Sequence, residues 1–172
     1  MQIRTQSPVR GKSMNSYRLI YKSVATEKVV SNQTLRNLES QAAEANAAKG
    51  ITGLLLLSGN VFLQVLEGSA GDLTDLFGRI MQDERHHRLE LITFDAAPER
   101  LFDDWNLRLI DLYDLPGEKR AVMAAKYQQS EGSILIPDDK HLVYALLLDA
   151  RHLCASMPWG SVVDAGNRVS SA

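Results

Sequence analysis

The chain has 172 residues, of which 45% are hydrophobic and 23% are charged, and its formal net charge at pH 7 is −2. This length suffices for one domain with a real core, and the charge lacks the strong positive excess typical of proteins that bind nucleic acid or anionic membranes. The single cysteine, Cys154, excludes an internal disulfide, and no apolar run approaches the ~20 residues of a membrane helix. We therefore expect a cytoplasmic protein.

The first 50 residues predict a strand and a helix. Residues 17–23 (YRLIYKS) are rich in aromatic and branched side chains, which favour a strand. Ser31 or Asn32 then opens a helix that runs to about Lys49, with Gly50 as its C-terminal stop. The predicted inward stripe of this helix consists of Leu35, Leu38, Ala42 and Ala45.

A hairpin and a second helix follow. ITGLLLLS (51–58) and VFLQVLE (61–67) predict two strands joined at Gly59-Asn60, a common two-residue turn. The next segment, SAGDLTDLFGRIMQDER (69–85), predicts a helix that begins with a sequence resembling a capping box. The apolar residues that recur there at helical spacing are Leu73, Leu76, Phe77, Ile80 and Met81.

LELITF (89–94) and LRLIDLY (107–113) predict two more strands, which completes the order strand, helix, strand, strand, helix, strand, strand. This order predicts an α+β fold, a ferredoxin-like βαββαββ sandwich with a five-stranded mixed sheet and two helices on one face. The hairpin strands are apolar on both faces, so the opposite face also needs a cover. We expect a C-terminal helix pair, within residues 118–129 and 138–155, to supply it.

Gln64 is the anomaly in this pattern. It lies in the middle of a strand that is apolar on both faces, and it shares one face with Phe62 and Leu66. A buried amide without a partner costs about 1–3 kcal/mol, so a side chain, the backbone or a ligand must hydrogen-bond it.

Tyr21 and Asn46 are further polar residues at positions predicted to be buried. Together with Gln64 they could line a planar heteroaromatic ligand, with the two amides reading its carbonyl and N–H groups. Each residue alone also has an ordinary structural interpretation, such as a core tyrosine or a backbone-paired amide. Likewise, Arg79 and Asp83 alone could form a surface ion pair. His86 could lie at the C-terminus of the helix, where a positive charge is favourable.

Four separated motifs resemble the BLUF domain, the flavin-based sensor of blue light. They are YRLIYKS (17–23), NAAKGITGLLLLSGNVFLQVLEG (46–68), RIMQDERHH (79–87) and RLFDDWNLRLI (100–110), in that order. The resemblance, together with the change in sequence character on either side of it, predicts a domain division for the whole chain. It comprises a disordered lead-in (1–14), a BLUF-like flavin-binding domain (15–113), a helical extension that packs on the sheet (114–156) and a flexible tail (157–172).

The resemblance also implies the site residues. Tyr21, Gln64 and Trp105 would be the photoactive residues, Asn46 would hold the carbonyl edge of the ring, and the ring would lie between Leu38 and Ile80. The full set expected to contact the cofactor is Tyr21, Leu38, Asn46, Phe62, Gln64, Arg79, Ile80, Asp83, Arg85 and His86. In this set Arg85 and His86 would reach the other pyrimidine carbonyl. The expected cofactor is FAD, with FMN or riboflavin as alternatives, and no metal is expected.

The implied mechanism is light-gated rather than catalytic. Electron and proton transfer from Tyr21 through Gln64 would leave Gln64 rotated or tautomerised, with a changed hydrogen bond to the flavin C4 carbonyl. Two positions depart from the family pattern: Leu107 replaces a common methionine, and Ala45 replaces an often polar residue.

We expect no attached output enzyme, since residues 113–172 are too few for a cyclase or phosphodiesterase domain. The protein would then regulate a separate partner through its C-terminal helices, and it would self-associate as a homo-oligomer. Two alternatives stay open: a ferredoxin-like adaptor that has lost light sensing, and a flavin-dependent redox enzyme. The surroundings of Cys154 and of Gly68 favour neither a thiol or zinc site nor a phosphate loop.

Overall fold

The computed structural model describes residues 16–27, 31–130 and 133–155, so the lead-in and the tail predicted from the sequence lie outside the described residues. The elements, in chain order, are β1 (Tyr17–Ala25), α1 (Asn32–Ala47), β2 (Thr52–Ser58), β3 (Val61–Gly68), α2 (Ala70–Ile80), β4 (His86–Ala96), β5 (Arg108–Asp111), α3 (Gly117–Tyr127), β6 (Gln128–Ser130), β7 (Ser133–Ile134) and α4 (Lys140–Cys154). The main sheet has the strand order β4-β1-β3-β2-β5. The β2–β5 pair is parallel and the other pairs are antiparallel, which confirms the α+β sandwich with a mixed five-stranded sheet.

The two helices before β4 begin where their capping residues predict. The Ser31 hydroxyl accepts the Thr34 N–H at the start of α1, and the Ser69 hydroxyl accepts the Asp72 N–H at the start of α2. Gly50, just after α1, has a φ of 63°, a conformation that glycine adopts without a steric penalty.

The predicted end of the second helix is wrong. α2 stops at Ile80, and the N–H groups of Gln82 and Asp83 bond three residues back, which tightens the last turn. The Asp83 carboxylate then accepts the Arg85 N–H, so the chain turns directly into β4. His86 is therefore a strand residue, and its interpretation as part of a helix terminus is also wrong.

Two residues assigned to inward stripes point outward. Met81 is 56% exposed because it follows the last residue of α2, and Ala45 on α1 is exposed as well. Asn46 follows Leu35 by eleven residues, about three helical turns, so the stripe ends at Asn46, and Ala45 lies about 100° away around the helix.

The main sheet has a hydrophobic core on each face. On one face, β1 and β3 pack against α1 and α2 through residues that include Leu19, Phe62, Leu66, Leu35 and Leu73. On the other face, the sheet packs against α3 and α4 through residues that include Ile20, Leu63, Val65, Met123, Leu146 and Leu147. The cover predicted from the two-sided apolar strands is therefore present and consists of the C-terminal helices.

The small sheet β6–β7 was not predicted. Its strands contain three and two residues, too few to show a two-residue hydrophobic period. The Ser58 hydroxyl donates to the Ile134 carbonyl, which ties this sheet to the end of β2.

The connection between β4 and β5 passes from one face of the sheet to the other. Phe102 is buried in the core beneath α3 and α4, whereas Leu107 is buried in the core beneath α1. Glu67, fully buried on β3, accepts the N–H groups of Leu101 at 3.0 Å and Phe102 at 2.8 Å, and it also binds the Arg18 guanidinium. These bonds anchor the segment that crosses from one face of the sheet to the other.

Replacement of Gly53 by alanine is expected to destabilise the sheet. A Cβ at this position would lie 2.2 Å from the Val65 carbonyl oxygen, a backbone atom of the neighbouring buried strand that cannot move aside as a flexible side chain would. Overpacking of this kind typically costs about 1–3 kcal/mol, so Gly53→Ala should lower the free energy of unfolding by that amount in urea denaturation. The control is Gly78→Ala on α2, where a Cβ meets nothing within 4 Å and the helix should gain about 0.5–1 kcal/mol. Equal stability of the two variants would contradict this account of β2.

Candidate functional site

A cavity of about 190 Å³ lies between the sheet and the helices α1 and α2. The residues that line it are Tyr21, Leu38, Ala42, Asn46, Leu55, Phe62, Gln64, Leu76, Arg79, Ile80, Asp83, Arg85, His86 and Leu107. All ten residues that the resemblance assigned to the cofactor are among them, although their individual roles stay predictions. The lining residues that the assignment missed include Leu55, whose position on a doubly apolar strand gave no sign of a ligand.

Tyr21 and Gln64 form the polar centre of the cavity. They face each other across the β1–β3 ladder, and the buried Tyr21 hydroxyl donates to Gln64 Oε1. Burial, together with the nearby Asp83 carboxylate, raises the pKa of Tyr21 well above its usual value, so the phenol keeps its proton. The Gln64 amide nitrogen has no hydrogen-bond partner among the described residues. The buried Gln64 amide is thus satisfied at one end only: Tyr21 binds its oxygen, and its N–H groups remain as donors for an occupant of the cavity.

Asn46 supplies a second amide to the same cavity. Its Nδ2 donates to the Asn106 carbonyl at 2.9 Å, and Asn106 in turn donates its side-chain amide to the Ile51 carbonyl. The side-chain oxygen of Asn46 has no hydrogen-bond partner in the part of the chain that the structure describes. Asn46 therefore offers an acceptor and one further N–H, while the crossing segment holds its orientation.

The donor set fits a flavin ring. Apolar side chains of α1 and α2, Leu38 and Ile80 among them, form the walls, and Gln64 and Asn46 supply amide donors and an acceptor. A planar heteroaromatic ring with alternating carbonyl and N–H groups at one edge can satisfy both amides while its faces contact the apolar walls.

The charged residues at the cavity pair differently from the surface ion pair considered for the sequence. The interpretation of Arg79 and Asp83 as an i, i+4 ion pair on a helix is wrong, because Asp83 lies beyond the end of α2. Arg85 Nε instead lies 2.8 and 2.9 Å from the two Asp83 oxygens, and these bonds lower the pKa of Asp83. Arg79 is exposed, and its Nε makes a 3.4 Å contact with the Asp75 carbonyl on its own helix.

His86 has protein partners at both ring nitrogens. Nε2 lies 3.0 Å from the Ile80 carbonyl, which can only accept, so Nε2 carries the proton and Nδ1 accepts the Ser23 hydroxyl at 2.9 Å. Burial lowers the pKa of His86, which favours this neutral form. The ring lines the cavity, but the hydrogen bonds that the resemblance implied for it are made within the protein.

Trp105 does not line the cavity. Its half-buried ring packs on the core beneath α3 and α4, and the Arg108 guanidinium lies 5.9 Å from the ring centre. Leu107 lines the cavity instead, because residues 105–107 precede β5 and do not follow the alternation of a strand. The structure therefore separates Trp105 from Tyr21 and Gln64.

Comparison with known proteins agrees with this geometry. The family model described as sensors of blue light using FAD, the BLUF family, matches residues 16–108, more than half of the chain. The chain belongs to the BLUF family. Flavin-based blue-light sensing is accordingly the function of its family, and the cavity lies within the matched residues.

Curated BLUF relatives are longer proteins. Photoactivated adenylate cyclase subunit alpha of Euglena gracilis is 34% identical over 92 residues, which cover 53% of this chain and 9% of the relative. The blue light- and temperature-regulated antirepressor BluF of Escherichia coli is 33% identical over 78 residues, which cover 45% of this chain and 19% of the relative. The chain thus matches a fifth or less of the length of these relatives.

Solved BLUF structures share the fold. The ground state of BlsA is 26% identical with a TM-score of 0.65, over 77% of this chain and 87% of that one. Klebsiella pneumoniae BlrP1, solved with FMN and cyclic diGMP, is 28% identical with a TM-score of 0.59, over 81% of this chain and 36% of that one.

Within the described residues, no group of three His, Cys, Asp or Glu side chains could hold a metal ion, and no helix is long and apolar enough to cross a membrane.

The protonation of His86 gives a prediction for this site. We expect its pKa to lie below the ordinary 6.5 and to fall further in Asp83→Asn, because the Asp83 carboxylate favours the imidazolium. The folded state binds this proton more weakly than the unfolded state, so the contribution of His86 to stability decreases as the pH falls below 6.5. NMR titration of the ring measures the pKa of His86 in the wild type and in Asp83→Asn. The matched control is Asp95→Asn, at the exposed far end of β4. A ring pKa above 6.5, or one that rises in Asp83→Asn, would contradict the assigned neutral form.

Proposed function

We propose that this chain is a blue-light sensor that binds FAD in the cavity between α1 and α2 and signals through Gln64. The observation that carries the proposal is the hydrogen bond from Tyr21 to Gln64 Oε1. It leaves the Gln64 amide nitrogen without a partner among the described residues, in a cavity whose polar groups and apolar walls complement a flavin ring. FAD is the cofactor named in the family description, and FMN and riboflavin are the alternatives that binding measurements would distinguish.

Bound flavin would absorb blue light and, once excited, accept an electron. The chain supplies the rest of the chemistry. Oxidation of Tyr21 makes its hydroxyl strongly acidic, and Gln64 Oε1 is already hydrogen-bonded to that proton. The electron and the proton then return to Tyr21, so that the phenol is restored and the rearranged Gln64 side chain is the net change. A Gln64 side chain that then rotates or tautomerises exchanges its donor and acceptor ends, and the apolar walls keep this change local to the cavity.

We further propose that the signal passes through β3 to the C-terminal helices and from there to a separate partner protein. Gln64 is flanked by Leu63 and Val65, which point to the other face of the sheet and belong to the same core as α4. The exposed apolar residues Val122 on α3 and Leu142 and Leu148 on α4 are the surface that we assign to the partner. The names of the relatives, an adenylate cyclase subunit and an antirepressor, describe two kinds of output that BLUF proteins regulate.

Gln64→Leu should abolish the light response and leave the flavin bound. Leucine fills a similar volume but cannot accept from Tyr21 or donate to the ring. The measurement is the visible absorption spectrum in darkness and directly after blue light. We expect a reversible red shift in the wild type and in the control variant Gln33→Leu on the exposed face of α1, and no shift in Gln64→Leu. A shift that persists in Gln64→Leu would remove Gln64 from the mechanism, and a wild type that binds no flavin would refute the proposed function.

Light should also change the hydrogen exchange of α4. If the signal crosses β3, the α4 amides exchange at different rates in darkness and under continuous blue light, because local opening reports on the packing beneath them. The Gln64→Leu variant is the control and should show the same α4 exchange in both conditions. A light effect confined to α1 and α2 would contradict the route through the C-terminal helices.

A further inference from the structure

Three charged side chains line the cavity, and two of them neutralise each other. Asp83 and Arg85 form a two-point ion pair, in which Arg85 Nε contacts both carboxylate oxygens. The third, Arg79, has no carboxylate partner among the described residues. Its Nε makes one long hydrogen bond, of 3.4 Å, to the Asp75 carbonyl. The lining as a whole therefore has one unbalanced positive charge.

Arg79 lies at an exposed part of the cavity lining. The polar side chains at its centre are nearly inaccessible, with exposed fractions of 4% for Tyr21, 3% for Asn46 and 6% for Gln64. Arg79 is exposed and lies in the last turn of α2, beside the cavity-lining Ile80. An occupant whose ring reaches Gln64 and Asn46 would extend its substituent toward this exposed part of the lining.

Other nearby cations are already paired. Lys49, at the end of α1, lies 3.4 Å from Asp72 on α2, and Arg85 is held by Asp83. The guanidinium of Arg79 is thus the group available for an anion on the substituent. A guanidinium presents a planar set of donors that matches two oxygens of a phosphate.

We infer that Arg79 binds the phosphate of the flavin side chain and thereby makes the cavity select FMN and FAD over riboflavin. This inference rests on the proposed function, because it requires a flavin ring in the cavity. The isoalloxazine ring is uncharged at neutral pH, and the side chain of riboflavin ends in a hydroxyl group. The unbalanced charge of Arg79 therefore has a counterpart in the two phosphorylated flavins only.

The test is the affinity of the flavin-free full chain for riboflavin, FMN and FAD, measured by quenching of flavin fluorescence at low and high salt. Exposed ion pairs contribute up to about 1 kcal/mol, so we expect FMN to bind roughly three- to fivefold more tightly than riboflavin at low salt. The advantage should decrease at high salt, because an exposed ion pair is screened.

Arg79→Gln should reduce the ratio of FMN to riboflavin affinity to about one, since a neutral amide contributes no ion pair, and Arg79→Lys should retain part of the advantage. The matched control is Arg120→Gln on α3, which removes the same charge far from the cavity and should keep the wild-type ratio. Equal affinities for the three flavins in the wild type, or an unchanged ratio in Arg79→Gln, would overturn the inference.

The sensor function and the role of Arg79 can be refuted separately. A wild type that binds riboflavin as well as FMN and shows the reversible red shift would overturn the role of Arg79 and leave the sensor function standing. A wild type that binds none of the three flavins would refute the proposed function and, with it, the inference.

Discussion

The hydrogen bond between Tyr21 and Gln64 is the interaction on which the cavity depends. Both residues lie in the central strands of a sheet that is covered on each face, where an unpaired amide or phenol would be costly. The β1–β3 register places them opposite each other, and each satisfies the other at one atom. The remaining Gln64 donor lies in a space walled by apolar side chains, so the sheet retains one unsatisfied polar group at a position where a ring can bind.

A second buried group, Glu67, anchors a segment next to the cavity from the other side of the sheet. By holding Leu101 and Phe102, it fixes the start of the segment that ends at Leu107. The Asn106 carbonyl lies in this segment and orients Asn46. The carboxylate that never contacts the cavity thus positions one of its two amides. The same segment bonds to α4 through Asp104 and Arg151, so it contacts structure on both faces of the sheet.

Hydrophobic periodicity and capping residues were sufficient to predict the order of the main-sheet strands and the four helices, and the cover on both faces of that sheet. Burial of Gln64 was also predictable, since a strand apolar on both faces has no exposed side. Two features of the site were not predictable from the sequence pattern. Asp83 pairs with Arg85, two residues away, because α2 ends at Ile80. The side on which Trp105 lies was likewise not predictable, because residues 105–107 are outside any regular element and their orientation depends on Glu67, 38 positions earlier in the chain.

The alternation of β3 has a consequence for how such a sensor can diversify. Phe62, Gln64 and Leu66 lie on the face covered by α1 and α2, where Phe62 and Gln64 line the cavity, whereas Leu63, Val65 and Glu67 face the core of the C-terminal helices. In the proposed sensor, even positions contact the cofactor, and odd positions contact the C-terminal helices that would relay the signal. One eight-residue strand therefore holds the proposed switch and the proposed relay in interleaved positions, so that a substitution at one set can leave the other unchanged.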